Sequence, residues 1–204
     1  DERFFTEPIR PVRPSGQKFR ILLLGRIAPW KGQLMGLAAL RSMDLGGVEA
    51  ITVAGGPWFG EQEYFEQVRV CAGTIADGGV VDVVGHVDDV LALIDRHDIV
   101  VHTSQVPEPF GQVVVQAMAR GRVCVAANDG GPREIITHLH DGLLYRMNDP
   151  RDLADCLERA MSPDFPLQQM GQEAACSARR YRPAVTELRL RDALAQAPGS
   201  CGAG

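Results

Sequence analysis

Short apolar segments recur along the chain, and most of them end at a small or polar residue. They are rich in Val, Ile and Leu, and both faces of the extended segment are apolar. Strands with two apolar faces are typical of parallel sheets that helices cover on both sides. These predicted strands lie at residues 20–25, 48–55, 80–85, 98–104 and 122–128, with a weaker sixth at 142–146.

Amphipathic segments alternate with the predicted strands and indicate helices at residues 32–43, 61–75, 89–97, 111–121 and 131–139. Strand–helix alternation of this kind predicts βαβ units with right-handed crossovers. The fold class that we expect is therefore α/β. It is a doubly wound, Rossmann-like, six-stranded and mostly parallel sheet with helices on both faces.

Further helices are expected after the sheet. Asp149 can cap a helix at 149–161, and Pro150 suits its first turn. Residues 167–196 also have a helical pattern, which Pro183 interrupts. The pattern divides the chain into a linker or lead-in segment at 1–19, a domain at 20–165, C-terminal helices at 166–196 and a flexible tail at 197–204.

Composition excludes several classes of protein. The 204 residues are 45% apolar and 23% charged, as in an ordinary globular protein. A net charge of −5 argues against a general nucleic-acid binder. Five widely spaced cysteines without a CxxC pair predict neither a disulfide framework nor a metal site, and they suggest reduced, mostly buried thiols.

Targeting signals were also sought in the sequence. No apolar run approaches the length of a membrane span, which is about 18 residues. The first residues show no basic segment followed by an apolar one. We therefore expect a cytoplasmic location, with peripheral membrane contact of a larger enzyme left open. Asp1 stands where a start methionine would be, so we expect a piece of a longer protein.

Candidate chemistry is expected in the strand-to-helix loops, because ligands of such sheets bind at the carboxyl ends of the strands. Arg26 and Lys31 lie in the first of these loops, just before a predicted helix. Two cations at a helix N-terminus suit a phosphate or diphosphate. The loop matches neither GxGxxG nor GxxxxGK[ST], so a dinucleotide-dependent dehydrogenase is disfavoured.

The segment HTSQVPEPFGQVVVQAMARG at 102–121 is the most informative one. Glu108 precedes a helix whose start offers the backbone N–H groups of Phe110 and Gly111. Gln116 lies about a turn and a half inside that helix, on a polar face with Gln112 and Arg120. A carboxylate, an amide and backbone donors around one ligand suit a polyhydroxylated molecule such as a sugar.

Three other loops contribute weaker signals. Gly55 and Gly56 allow a tight turn or close approach of a ligand, and Trp58 and Phe59 are expected to pack under that turn. His86 is the obvious titratable group of the loop at 85–90, whose backbone could meet a nucleotide base. Glycines at 130–131 could cradle an anion or shape the floor of a pocket.

Together these segments resemble the C-terminal, donor-binding domain of the family-4 retaining glycosyltransferases, which have the two-domain GT-B fold. The resemblance covers about residues 18–165 and rests on GRIAPWKGQ, VAGGP, GHVDDV, PEPFGQVVVQAMARG and NDGGPREII in that order. It implies a retaining transfer of a sugar from a nucleotide diphosphate sugar, with UDP or GDP as the nucleotide. It implies neither a tightly bound cofactor nor a metal.

The resemblance also implies roles for individual residues. Arg26 and Lys31 match the pair that neutralises the donor diphosphate, and Glu108 matches the acid that contacts the donor sugar. Gln116 stands where the family has the second acid, which binds the ribose; glutamine keeps hydrogen bonding but loses the charge. The remaining predicted binding residues are Gly25, Gly55, Gly56, His86, Val87, Pro109, Phe110, Gly111 and Gln112.

The resemblance places the acceptor site on an N-terminal domain outside this chain. We therefore expect the isolated chain to bind nucleotide but to transfer little or no sugar. No side chain looks like a nucleophile with a paired base, which agrees with front-face attack.

Three alternatives remain open. Gln116 would suit a non-catalytic module that binds or senses nucleotide sugars. Another GT-B-like enzyme, such as a sugar epimerase or phosphorylase, is a further possibility, although no segment argues for the pyridoxal lysine of a phosphorylase. A receiver-like or flavodoxin-like domain is disfavoured, because Arg26 stands where a receiver has acids.

Overall fold

The computed structural model describes residues 1–7, 9, 17–75 and 80–196. Six strands form one sheet in the order β3-β2-β1-β4-β5-β6, and every neighbouring pair is parallel. The α/β fold predicted from the sequence is confirmed. The strands are β1 (Phe19–Leu24), β2 (Val48–Ala54), β3 (Val81–Gly85), β4 (Ile99–His102), β5 (Val123–Ala127) and β6 (Leu143–Tyr145).

One short helix precedes the sheet, and the other helices connect its strands or follow the last of them. They are α1 (Arg3–Thr6), α2 (Gln33–Arg41), α3 (Gln62–Gly73), α4 (Val90–Asp95), α5 (Gln112–Ala119), α6 (Gly130–Ile135), α7 (Pro150–Met161), α8 (Leu167–Ala178) and α9 (Pro183–Gln196). Helix α6 is shorter than the helix predicted at 131–139, because the backbone becomes extended at Ile136. Within the described ranges, no helix has the length and apolar character that crossing a membrane needs.

The core lies on both faces of the sheet, because successive strand residues point to opposite sides. Ile21 and Leu23 of β1 face one apolar cluster, and Leu22 between them faces the other. Helices α2, α3 and α7 contribute buried residues to the first cluster, and α4 and α5 contribute to the second. Helix α8 contributes to both clusters. Strands buried on both faces explain the continuous apolar segments of the sequence.

Residues 1–7 pack on the domain, although the sequence suggested only a linker there. Phe4 in α1 is 5% exposed and belongs to the second cluster. Arg182, which follows α8, forms an ion pair with Glu2. The predicted boundaries of the linker and of the C-terminal helices stay predictions, and the tail at 197–204 lies outside the described residues.

A buried ion pair joins α4 to the end of α5, and the arginine of this pair also bonds to the backbone after α1. Arg120 belongs by sequence pattern to the polar face of α5, yet it is fully buried. Its guanidinium donates to both carboxylate oxygens of Asp95 at 2.8 Å and to the carbonyl oxygen of Glu7 at 2.9 Å. Arg122 approaches the same carboxylate at 3.7 Å. The sequence pattern could not reveal this burial, because Asp95 lies on a different helix.

The described cysteines are less buried than the sequence suggested. Among Cys71, Cys124, Cys156 and Cys176, all of which are free, Cys124 alone is buried and Cys176 is exposed. Burial raises the pKa of the Cys124 thiol to about 12, so this thiol is a poor nucleophile at neutral pH.

Replacing Asp95 by Ala should lower the free energy of unfolding by about 3–5 kcal/mol, because the buried Arg120 guanidinium loses the carboxylate that accepts two of its hydrogen bonds. Urea denaturation followed by circular dichroism measures the loss. The control is Glu187→Ala, which breaks an exposed ion pair with Arg191 and should cost less than about 1 kcal/mol. Equal losses in the two variants would contradict a structural role for the Asp95 pair.

Candidate functional site

The sheet order reverses between β1 and β4, so the loops after these two strands diverge around a crevice. Gly32 ends the loop after β1 with a left-handed φ of +69°, and a Cβ there would lie 2.2 Å from the carbonyl oxygen of Thr103. The Thr103 hydroxyl donates to the carbonyl oxygen of Lys31 at 2.7 Å. This close approach, which only glycine permits, fixes the Lys31 backbone beside the end of β4.

A cavity of about 410 Å³ lies at the carboxyl ends of β1, β2 and β3. Gly55 lets the loops after β1 and β2 meet, because a Cβ there would lie 1.8 Å from the carbonyl oxygen of Gly25. Seven predicted site residues line the cavity, namely Gly25, Arg26, Gly55, Gly56, His86, Val87 and Gln116. Leu24, Trp58, Val90 and Val113 complete the lining.

Arg26 stands at this cavity between two aromatic rings. Its guanidinium carbon lies 5.1 Å from the centre of the Trp30 ring and 5.6 Å from that of Phe59. The nearest carboxylate, that of Glu61, is 4.0 Å away. Such cation–π contacts orient the guanidinium but do not neutralise its charge.

The aromatic residues of the second loop were expected under their turn, and this expectation was wrong. Phe59 is 87% exposed and Trp58 is 54% exposed. Phe59 has a left-handed φ of 55°, and its ring neighbours Trp58 and the Arg26 guanidinium. Phe59 therefore lies at the surface beside the Arg26 guanidinium and not under the turn.

Lys31 does not line the cavity but pairs with Glu108. Its Nζ donates to Oε1 of Glu108 at 2.7 Å and to Oε2 at 2.6 Å. The two side chains are only 13% and 18% exposed, so little water screens their attraction. The sequence predicts both residues in the site, but it does not predict that they contact each other.

Two further residues hold Glu108 and were not predicted from the sequence. The Ser104 hydroxyl donates to Oε2 of Glu108 at 2.7 Å, and Nε2 of His102 lies 2.8 Å from the same oxygen. Burial raises the pKa of Glu108, but the hydrogen bonds from His102, Lys31 and Ser104 outweigh burial and hold this pKa well below its ordinary value. Glu108 is therefore a carboxylate at neutral pH.

The rest of the PEPFGQ segment lies beside the cavity and not in its lining. Gly111 has a φ of +87° and directly precedes α5, with Pro109, Phe110 and Gln112 around it. Phe110 is 51% exposed, and its ring meets that of Tyr181 edge-on at 5.9 Å.

The glycines at 130–131 pack against this segment. The N–H of Gly131 donates to the carbonyl oxygen of Glu108 at 2.6 Å. A Cβ at Gly131 would lie 2.1 Å from the carbonyl oxygen of Phe110. These glycines therefore support the loop that carries Glu108.

Two other predictions concern His86 and metals. The His86 side chain is 65% exposed, and its Nε2 lies 3.2 Å from a carboxylate oxygen of Asp88. Across the described ranges there is no group of three or more His, Cys, Asp and Glu residues arranged to hold a metal ion. That the reaction needs no metal stays a prediction.

Comparison with known proteins identifies the family. The model of the glycosyl transferases group 1 family matches residues 5–176. The chain belongs to this family. The D-inositol 3-phosphate glycosyltransferase of Paenarthrobacter aurescens (strain TC1) is a relative, 31% identical over 185 residues, which are 85% of this chain and 42% of that protein.

Solved structures agree with the α/β, Rossmann-like fold of this group 1 chain. A crystal structure of Anabaena HepE in complex with UDP-glucose matches with a TM-score of 0.80 at 28% identity, over 87% of this chain and 49% of that one. A crystal structure of the C-terminal domain of LpcC, a group 1 family protein from Francisella tularensis, has a TM-score of 0.70 at 22% identity. That match covers 82% of this chain and 88% of the LpcC domain, and it supports the fold. The chain spans about two fifths of its curated relatives and half of HepE.

Replacing Glu108 by Gln should lower the free energy of unfolding at pH 7 by about 1–3 kcal/mol, because charged hydrogen bonds are lost. Because the pKa of Glu108 is lower in the folded chain than in the unfolded chain, its ionisation stabilises the fold above about pH 4.3, the pKa of an unfolded glutamate. This stabilisation is lost as the pH falls from there through the pKa of the folded chain. The deficit of the variant should therefore shrink below about pH 4.

Urea denaturation between pH 7 and pH 3 measures this difference. Glu66→Gln is the matched control, because Glu66 is an exposed carboxylate on α3 that pairs with Arg69. A deficit for Glu108→Gln that stays constant over this pH range would contradict the lowered pKa.

Proposed function

We propose that this chain is the donor-binding half of a retaining glycosyltransferase that takes a sugar from a nucleotide diphosphate sugar, with UDP or GDP as the nucleotide. The observation that carries the proposal is the cavity at the carboxyl edge of the sheet. Seven residues predicted from the sequence to bind the donor line it. Membership of the group 1 family and the UDP-glucose complex of HepE support the same function.

The diphosphate is assigned to the region of Arg26 and Lys31. Arg26 lines the cavity, and its ion pair with Glu61 is long, at 4.0 Å. Lys31 lies in the same loop after β1. A guanidinium and an ammonium would bind the two phosphates and stabilise the negative charge that develops on the departing nucleotide. In this assignment Lys31 exchanges one anion, Glu108, for another.

The sugar is assigned to the Glu108 side of the site and the nucleoside to the cavity. The loop of His86 and Val87 would offer its backbone to the base, and Gln116 would meet the ribose hydroxyls. Transfer breaks the bond between the anomeric carbon and the phosphate oxygen and forms a bond to an acceptor oxygen on the same face. The departing phosphate is the base nearest to the acceptor proton in such a front-face reaction.

The acceptor is assigned to a domain outside this chain. The chain spans about two fifths of its curated relatives, so a second domain is expected to supply the acceptor site. The isolated 204-residue chain should therefore bind nucleotide and transfer little or no sugar. Fusion or addition of the acceptor domain should restore transfer.

Calorimetric titration with UDP, GDP and ADP at one salt concentration tests the nucleotide site. One nucleotide should bind, and Arg26→Ala or Lys31→Ala should weaken that binding by about 1–3 kcal/mol, because each variant removes a charged hydrogen bond. Arg41→Ala at the far end of α2 removes an exposed cation and should leave the affinity unchanged. Unchanged binding in both site variants would refute the diphosphate assignment.

Gln116→Glu should strengthen binding of that nucleotide by roughly 3- to 10-fold, because a carboxylate accepts hydrogen bonds from two ribose hydroxyls more strongly than an amide does. The same titration measures the effect. Gln169→Glu makes the same charge change at an exposed position of α8 and is the control. An unchanged affinity for Gln116→Glu would mean that position 116 does not meet the ribose.

A further inference from the structure

The two carboxylate oxygens of Glu108 are held differently. Oε2 accepts hydrogen bonds from Ser104 and Lys31 and lies 2.8 Å from Nε2 of His102. Oε1 is bonded to the Lys31 ammonium at 2.7 Å. His102 and Ser104, which are close to Glu108 in sequence, therefore contact Oε2. The bond to Oε1 comes from the flexible side chain of Lys31 on another loop.

The chemistry of these groups fixes which atom donates. An ionised carboxylate can only accept, so the proton between Glu108 and His102 belongs to Nε2 of the imidazole. The His102 side chain is 4% exposed, and its Nδ1 is buried without a hydrogen-bond partner among the described residues. The imidazole of His102 therefore binds Glu108 through Nε2.

The backbone that carries His102 and Ser104 is itself fixed. The Tyr145 hydroxyl donates to the carbonyl oxygen of His102 at 3.2 Å. Thr103 between them is bonded to the Lys31 backbone, and Ser104 is 1% exposed. His102 and Ser104 therefore contact Oε2 from the end of β4 and from the residues just after it, which gives the carboxylate a defined orientation.

We propose that His102 and Ser104 are positioning residues, which hold Glu108 by Oε2 so that Oε1 accepts a hydrogen bond from a hydroxyl of the donor sugar. This inference rests on the proposed function. When the Lys31 ammonium turns to the diphosphate, Oε2 keeps its two donors and Oε1 loses its partner. The carboxylate is then aimed at the sugar without having to rotate.

The test compares calorimetric affinities of UDP with UDP-glucose and of GDP with GDP-mannose. The ratio within each pair measures the contribution of the sugar. For the nucleotide that binds, His102→Ala and Ser104→Ala should each lower the ratio of sugar-nucleotide affinity to free-nucleotide affinity by about tenfold. The affinity for free UDP or GDP should stay unchanged within about twofold. His102→Gln should restore much of the ratio, because its amide can donate from near the Nε2 position.

His97→Ala is the matched control. His97 is also a buried histidine, 5% exposed, but its ring contacts the Leu93 carbonyl oxygen and the Thr52 hydroxyl, away from Glu108. It should change stability and leave the sugar contribution intact. The inference would be overturned if His102→Ala lowered the affinities for free nucleotide and sugar nucleotide equally. It would also be overturned if the ratio of these two affinities stayed unchanged in both His102→Ala and Ser104→Ala.

The outcomes also separate this inference from the proposed function. If the unaltered chain binds neither UDP nor GDP nor their sugars, the proposed function itself fails. If the chain binds UDP or GDP, but its affinity is no higher for UDP-glucose or GDP-mannose, the nucleotide site stands. The role of Glu108 in sugar recognition is then overturned.

Discussion

Removing a carboxylate from water is costly unless hydrogen bonds and a counter-charge replace its hydration, and Glu108 is a carboxylate that is 18% exposed. Lys31, His102 and Ser104 replace that hydration within 2.8 Å. The bond from Lys31 joins the loop after β1 to the loop after β4, across the point where the strand order reverses. The geometry of the site therefore depends on keeping this one negative charge compensated.

Glycines make the compensation sterically possible. Any side chain at Gly32 would meet the Thr103 carbonyl, and any side chain at Gly131 would meet the Phe110 carbonyl. Gly32 brings the ammonium of Lys31 to β4, and Gly131 holds the Glu108 loop from the other side through a backbone hydrogen bond. Backbone contacts at van der Waals limits are stiff, so the polar side chains between them have defined distances.

The sequence allowed the fold and much of the cavity to be predicted, because both follow from local patterns. Apolar segments predicted the strands, and the loops after those segments predicted Gly25, Arg26, Gly55 and His86. Gln116 was predicted from the polar face of a helix. What it did not reveal depends on contacts between distant segments. His102 and Ser104 were part of the quoted motif, but nothing in their spacing shows that both reach one carboxylate oxygen. Arg120 was grouped with a polar face by its helical spacing. Its burial was missed because its partner, Asp95, lies on another helix.

The same carboxylate also bears on how a donor would be recognised in the proposed function. Lys31 cannot neutralise Glu108 and a diphosphate equally well, since one ammonium has three donors and a limited reach. A diphosphate that attracts Lys31 also weakens the bond that occupies Oε1 of Glu108. Binding of the anionic part of the donor would thereby make the sugar-binding oxygen available, at the cost of one ion pair. A neutral sugar alone offers no anion to draw Lys31 away, so it would face an occupied carboxylate and bind weakly.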